Sequence, residues 1–269
     1  MGSSYNHEYK PLKGKVALIT GSARGIGKGI ATELAKQGAD IVINYANSSS
    51  AAEKTVAELK EFGVDAIAIK ANVTKLAEVK QLFEDAVKHY GKLDVVCSNS
   101  GTELFKPEEE VTEEDFDRVF GLNTKAQFFV GQQAYKHLPK NGGGRLVLTS
   151  SIAASATGIP NHALYAGSKA AIGGFVRSFA KDFGHHGITC NAIAPGGVKT
   201  DMFAANAWHY APGGYKDMPL ENIEKGIASA CPLGRCAVPQ DIARVVAFLA
   251  GPDSEWINAQ VIPVDGGGV

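Results

Sequence analysis

Short, uniformly apolar runs rich in β-branched residues punctuate the chain: KVALIT (15–20), DIVINY (40–45), VDAIAIK (64–70), LDVVCS (93–98), RLVLTS (145–150) and ITCNAIA (188–194). None alternates strictly between apolar and polar positions, which predicts strands covered on both faces rather than strands with one wet side. Between them the period changes. Ile26, Ile30 and Leu34 recur every four residues, and Val79, Leu82, Phe83, Ala86 and Val87 trace a second helical stripe. Strand, helix, strand in this order predicts an α/β fold with a parallel sheet wound by helices on both sides. Ligands of such sheets lie at the carboxyl ends of the strands.

The first strand runs into TGSARGIG, where Gly21, Gly25 and Gly27 lead into a helix. Glycines let a backbone turn sharply and approach a pyrophosphate, whose charge is met by amides at the helix start. The spacing Gly-x-x-x-Gly-x-Gly departs from the commoner G-x-G-x-x-G pattern, so the position between strand and helix carries the argument for a dinucleotide over a bare tight turn. At the end of the second strand an NAD enzyme offers a carboxylate to the ribose 2′-hydroxyl, but this chain reads NYANSSS, with no acid from Asn44 to Ser50. Tyr45, Asn47 and Ser48 offer neutral donors there, Ala46 a backbone amide, and Arg24 a positive charge. The expected cofactor is therefore NADPH/NADP+. The competing reading leaves Arg24 merely solvated, and then Arg24→Ala would not alter the preference for NADPH.

LYAGSKAAIGGF (164–175) places Tyr165 and Lys169 four residues apart, on one face of a helix. A free phenol titrates near pH 10, and a fixed ammonium beside it favours the phenolate, bringing it toward a working range for proton transfer. The spacing alone also occurs by chance in ordinary helices. Three neighbours set this instance apart: Ser151 ends the strand RLVLTSS, Asn99 and Gly101 in SNSG follow another strand at the same edge, and Asn123 in GLNTKAQFF opens or interrupts a helix. His162 precedes Tyr165 by three residues, but no carboxylate is placed in sequence to orient it, so it is not assigned a proton-transfer role. The acidic run EEEVTEEDFD (108–117) reads as a solvated helix start capped by Thr112.

These ordered signatures, TGSARGIG, SNSG, Asn123, Ser151 with YAGSK, APGGVKTDM and the terminal VDGGG, resemble the short-chain dehydrogenase/reductase family from about residue 12 to the end. The resemblance implies a Rossmann-type doubly wound parallel sheet of about seven strands in a single domain, 12–269. It implies that Tyr165 exchanges the proton, Lys169 lowers its pKa and holds the nicotinamide ribose, Ser151 orients the substrate carbonyl, and Asn123 anchors a water in the proton relay. It extends the cofactor contacts to Ile26, Asn72, Val73, Asn99, Gly101, Pro195, Gly196, Val198, Thr200 and Met202, and the substrate contacts to Ile152 and Gly197.

A closer similarity, in NYANS, CSNSG, DRVFGLNT, QFFV, PNHALYAGSK and APGGVKTDMF, is to fungal reductases of polyhydroxynaphthalenes, hydroxyanthraquinones or their anthrol forms, and to a related fungal hydroxysteroid dehydrogenase. It implies NADPH, a homotetramer, and reduction of a ring carbonyl reached through the keto tautomer of a phenol. Tyr210 would stack on the aromatic substrate and Phe203 would line the same pocket, while Trp208 is balanced between substrate contact and packing. Ala230, in SACPL, stands where the naphthol reductases carry a tryptophan. Loss of that indole is expected to enlarge the pocket and favour a tricyclic substrate. A hydroxysteroid or general ketone reductase is one alternative. A non-catalytic NADP(H)-sensing protein is another, and the complete tyrosine, lysine, serine and asparagine set argues against it.

Composition narrows the partners. The 269 residues are 45% hydrophobic and 20% charged with a formal net charge of −1, and neither half is markedly acidic or basic. Neither a nucleic acid nor a membrane surface is indicated, and the small aromatic substrate is what the resemblance implies. Cys97, Cys190, Cys231 and Cys236 have no CxxC spacing, so neither a metal site nor a disulfide framework is indicated. No apolar run approaches the roughly 18 residues of a membrane span. MGSSYNHEYK lacks the apolar core of a signal peptide, and Asn6 stands where a myristoylation signal has serine or threonine. A cytoplasmic protein with a loose segment over residues 1–11 is expected. The least regular stretch, near 200–220 and containing AWHYAPGGY, is expected to be a mobile loop or a pair of short helices forming a substrate lid.

Overall fold

The protein is described by a computed structural model over residues 10–155 and 158–268; the predicted loose segment lies, through residue 9, outside the described residues. In chain order the elements are β1 (Val16–Ile19), α1 (Gly25–Lys36), β2 (Asp40–Tyr45), α2 (Ser49–Lys60), β3 (Ala66–Lys70), α3 (Leu76–Tyr90), β4 (Val95–Ser98), α4 (Glu113–Phe120), α5 (Ala126–His137), β5 (Arg145–Thr149), α6 (Ala163–Phe183), β6 (Thr189–Pro195), α7 (Asp201–Asn206), α8 (Leu220–Ala230), α9 (Pro239–Ala250) and β7 (Val261–Val264). All six apolar runs became strands. The seventh, β7, was not singled out by the pattern.

All strands pair in parallel, in the order β3-β2-β1-β4-β5-β6-β7. The chain steps outward from β1 to β3, returns to β4 beside β1, and then proceeds to β7. The loops leaving β1 and β4 therefore part in opposite directions and open a crevice at the carboxyl edge. Successive strand residues serve opposite layers. Ala17, Ile19, Ile41 and Ile43 pack with Ile30 and Leu34 of α1 and Ile242 and Val246 of α9. Val16, Leu18 and Val42 pack with Phe83 of α3, Val130 of α5 and Ile172 of α6. Two buried faces explain the absence of polar alternation. The expectation of complete cover fails at the margins, where β3 and β7 are only partly buried because each has a neighbour on one side alone.

Thr112 caps α4 through a reciprocal pair with Asp115, as the acidic run implied. The 200–220 stretch is a pair of short helical pieces: α7 continues into a 3₁₀ turn, Ala207–His209, before α8 begins. Phe203, Ala207, Ala211, Ile223 and Cys236 give this region its own small apolar nucleus. Among the described residues, no helix is long and apolar enough to cross a membrane.

Candidate active site

β1 ends in a turn that favours glycine. Gly21 and Gly25 hold φ of 63° and 58°. Gly27 has no room for a side chain, since a β-carbon there would lie 2.5 Å from the Gly21 carbonyl oxygen and 2.6 Å from Nδ2 of Asn99. Side-chain amides fasten the loop to the sheet. Asn44 Oδ1 accepts from the Gly21 N–H at 3.2 Å while its Nδ2 donates to the Ala71 carbonyl at 3.0 Å. Asn99 Nδ2 donates to the carbonyls of Thr20 and Gly21 at 3.1 and 3.3 Å. With α1 starting at Gly25 and no side-chain cap at Arg24, the positive end of a helix dipole lies at this edge. A side-chain-free cradle beside helix amides fits a dinucleotide diphosphate, with Ile26 half-buried behind it.

Tyr45 is half-buried at the end of β2, and Ala46, Asn47 and Ser48 are exposed beyond it. At the end of β3, Val73 is buried and Asn72 Oδ1 accepts from the Thr74 N–H at 3.0 Å. Arg24 does not stand alone: it pairs with Asp201 at 3.3 Å, the two side chains being 72% and 74% exposed. From β6 onward, Pro195 is buried and Gly196 lies so close to Asp265 that a β-carbon would approach its Cβ to 2.8 Å. Gly197 faces Ile227 and Phe203, Val198 bridges to Ala237, and Thr200 caps α7 by accepting from the Phe203 N–H at 3.3 Å. Met202 is exposed on α7. Phe203 is buried in the small apolar nucleus of the 200–220 region, with its ring edge toward Gly197.

Ser151 leaves β5 and caps the turn Ile152–Ala154, accepting from the Ala153 N–H at 3.2 Å. Its hydroxyl also stabilises the charged form of the Tyr165 phenol. Lys169, one turn further along α6, is 3% exposed and its Nζ lies 5.9 Å from the centre of the Tyr165 ring. Asn123 interrupts a helix as expected, within a π-helical turn, Gly121–Lys125, between α4 and α5. Its Oδ1 accepts from the Thr102 N–H at 2.9 Å, and its Nδ2 donates to the Thr102 carbonyl at 2.9 Å and to Ser168 Oγ at 3.0 Å. The Asn123 side chain thus ties the loop after β4 to the turn of α6 between Tyr165 and Lys169. Gln127, unnoticed in the sequence, donates to the carbonyls of Asn123 and Thr149 at 2.8 and 2.9 Å and accepts from the Thr149 N–H at 2.9 Å.

The family model described as enoyl-(acyl carrier protein) reductase matches residues 21–268. A short chain dehydrogenase from Burkholderia cenocepacia, solved in complex with NADP, is 33% identical, with a TM-score of 0.85 over 96% of this chain and 99% of that one. This chain belongs to the short-chain dehydrogenase/reductase family. The hydroxynaphthalene reductase-like protein Arp2 of Metarhizium majus is 65% identical over 260 residues, 97% of each chain. The tetrahydroxynaphthalene reductase PfmaG of Pestalotiopsis fici is 57% identical over 264 residues, 98% of this chain and 95% of the relative.

In this short-chain reductase burial has the largest effect on the Tyr165 phenol. Burial raises Tyr165 above its ordinary value, the Glu103 carboxylate adds to the rise, and Ser151 offsets part of it. Lys169 Nζ donates to the Thr149 carbonyl at 3.0 Å. Burial lowers Lys169 to about 8, with Glu103 opposing. The protein's own groups keep the proton on Tyr165, the form that can donate.

Glu103 was missed in the sequence, where the only signal was an acid in a neutral run just after a ligand-edge strand. Its side chain is 9% exposed, accepts from Asn206 Nδ2 at 3.0 Å and is hydrogen-bonded to the Tyr210 hydroxyl. Tyr210 Oη is also 2.9 Å from His162 Nε2, and His162 Nδ1 donates to the Leu104 carbonyl at 2.9 Å. A carboxylate does therefore stand beside His162, 3.8 Å from Nε2, contrary to the reading of the sequence. Trp208, His209, Phe105 and His162 form a ladder of stacked rings with successive centroid separations of 3.5, 3.8 and 3.9 Å. The His162 ring is 4.5 Å from that of Tyr165, and Tyr210 meets Phe105 edge-on at 5.2 Å. Trp208 thus packs within the 200–220 segment, and the Tyr210 hydroxyl is engaged by protein groups.

Proposed function

We propose that this oxidoreductase uses NADPH to reduce a ring ketone of a fused aromatic polyketide, the keto tautomer of a hydroxynaphthalene or an anthrol. The observation that carries this reading is the position of Tyr165 beside Ser151 and Lys169, at one end of a ladder of rings running out to Trp208. Kinship with proteins named for hydroxynaphthalene reduction supports the substrate class. Bound NADPH would supply the hydride. Gly21, Gly25 and Gly27 would admit its diphosphate, while Arg24 with Tyr45, Asn47 and Ser48 would engage the 2′-phosphate.

Tyr165 holds the proton that the carbonyl oxygen requires, Ser151 orients that oxygen, and Lys169 places positive charge at the same edge. A flat ring system is recognised by aromatic walls, each contact contributing about 1 kcal/mol beyond burial. Ala230 in place of an indole leaves space for a third ring. Lid motion over 200–220, a homotetramer and a cytoplasmic location belong to the same reading.

The test is NADPH oxidation with a tetrahydroxynaphthalene, an anthrahydroquinone and a steroid ketone assayed side by side. Turnover of the fused phenols, reduced about a thousandfold in Tyr165→Phe, is expected. Preference for the steroid ketone, or wild-type rates in the phenylalanine variant, would overturn the reading.

A further inference from the structure

The Glu103, Tyr210 and His162 contacts contain more acceptors than an ionised acid and a neutral histidine can satisfy. The Leu104 carbonyl can only accept, so His162 Nδ1 carries a hydrogen and, in the neutral ring, Nε2 is an acceptor. Tyr210 Oη then lies between Nε2 on one side and Glu103 Oε1 on the other with a single hydrogen to give. Two links need two hydrogens. The cluster must hold one more, either on the carboxyl or on the imidazole.

We propose that Glu103 is a positioning residue that carries this proton: it donates to Tyr210, Tyr210 donates to His162, and the relay clasps the 201–210 segment to the start of the helix bearing Tyr165. Asn206, donating to the other carboxyl oxygen, provides a second attachment from the same segment. The ring ladder from Trp208 to His162 lies across the same junction. The inference goes beyond the proposed reaction and holds whatever the substrate.

Surroundings decide between carboxyl and imidazole. Burial raises Glu103, against the lowering effects of Tyr210, Asn206 and the Lys169 charge. Burial lowers His162 to about 4, with His209 adding to the fall and the Leu104 carbonyl opposing it. Tyr165 is the remaining ionisable neighbour, and burial keeps it neutral. The clasp is therefore complete above the His162 value and below that of Glu103. At lower pH Nε2 no longer accepts, and at higher pH Tyr210 faces two acceptors with one hydrogen.

Hydrogen–deuterium exchange of the amides over 201–214, corrected for intrinsic rates and read in the full-length protein, tests this. Wild-type exchange is expected to rise about tenfold from a pH below the Glu103 titration, but above that of His162, to a pH above it, the loss of roughly one hydrogen bond. Glu103→Gln supplies a permanent donor to Tyr210 and an acceptor for Asn206, so its exchange is expected to stay slow at both values although Lys169 still titrates. Tyr210→Phe is expected to exchange fast at both. A wild-type profile flat in pH, or a glutamine variant unprotected at the lower pH, would overturn the proposal; the wild-type profile alone suffices should a variant fail to fold.

Discussion

Gly101 and Lys169 are in such close apposition that a β-carbon at position 101 would lie 3.3 Å from the lysine Nζ, and 3.2 Å from Oδ1 of Asn123. The glycine is required by what it faces, since its backbone has no left-handed φ. Gly101→Ala would push the ammonium from the Thr149 carbonyl by a few tenths of an ångström. Displacements of that size misalign a reacting group at little cost to the fold. The expected result is a fall in kcat/KM of about tenfold with the thermal midpoint nearly unchanged, measured by NADPH oxidation and calorimetry.

Gln127 is 1% exposed and spans the π-helical turn and β5 with three hydrogen bonds. Gln127→Leu keeps approximate volume but leaves the Thr149 N–H and the Asn123 carbonyl without this partner. Each orphaned buried group costs about 1–3 kcal/mol. A loss of about 3 kcal/mol in urea unfolding is expected. A loss below about 1 kcal/mol would show that the backbone groups find other partners.

Lys169 links activity and stability in opposite senses. Burial depresses its folded value to about 8 from the ordinary 10.5, so between those values the unfolded chain binds more protons than the folded one. Stability contributed by this group therefore rises with pH across that interval, because the penalty for burying the ammonium disappears. Activity that depends on the ammonium is expected to decline over the same range. Lys169→Met is expected to abolish turnover while raising the melting temperature at pH 7, with a smaller gain at about pH 10, as differential scanning calorimetry would record.

The exposed Arg24–Asp201 pair competes with any anion for the guanidinium. Pairs this exposed contribute at most about 1 kcal/mol and are readily exchanged. Arg24→Ala is expected to reduce the NADPH over NADH preference in kcat/KM by about tenfold, and Asp201→Asn to increase it modestly. An unchanged preference in the alanine variant would support the solvated reading of Arg24.

Much of the fold was legible in the pattern of residues. DIVINY is β2 from end to end, and the helical stripes of α1 and α3 turn their apolar faces inward as their spacing requires. β7 escaped notice because an edge strand of partly exposed residues leaves no solid apolar run. Within the candidate site, Tyr165 with Lys169, and Gly21 with Gly25 and Gly27, could be paired because they are neighbours on one helix and one turn. Glu103 and Tyr210 could not, being 107 positions apart and joined only where the loop after β4 meets the segment after α7.

By itself the sequence determined the strand and helix periods, the bare glycine turn and the identities of the groups able to move a proton, since these follow from local sterics and side-chain chemistry. Only the tertiary structure decided which of those groups are protonated and what each one holds. Burial, and the approach of a carboxylate from a distant loop, change the free energy of a charge, and neither is recorded in the spacing along a chain.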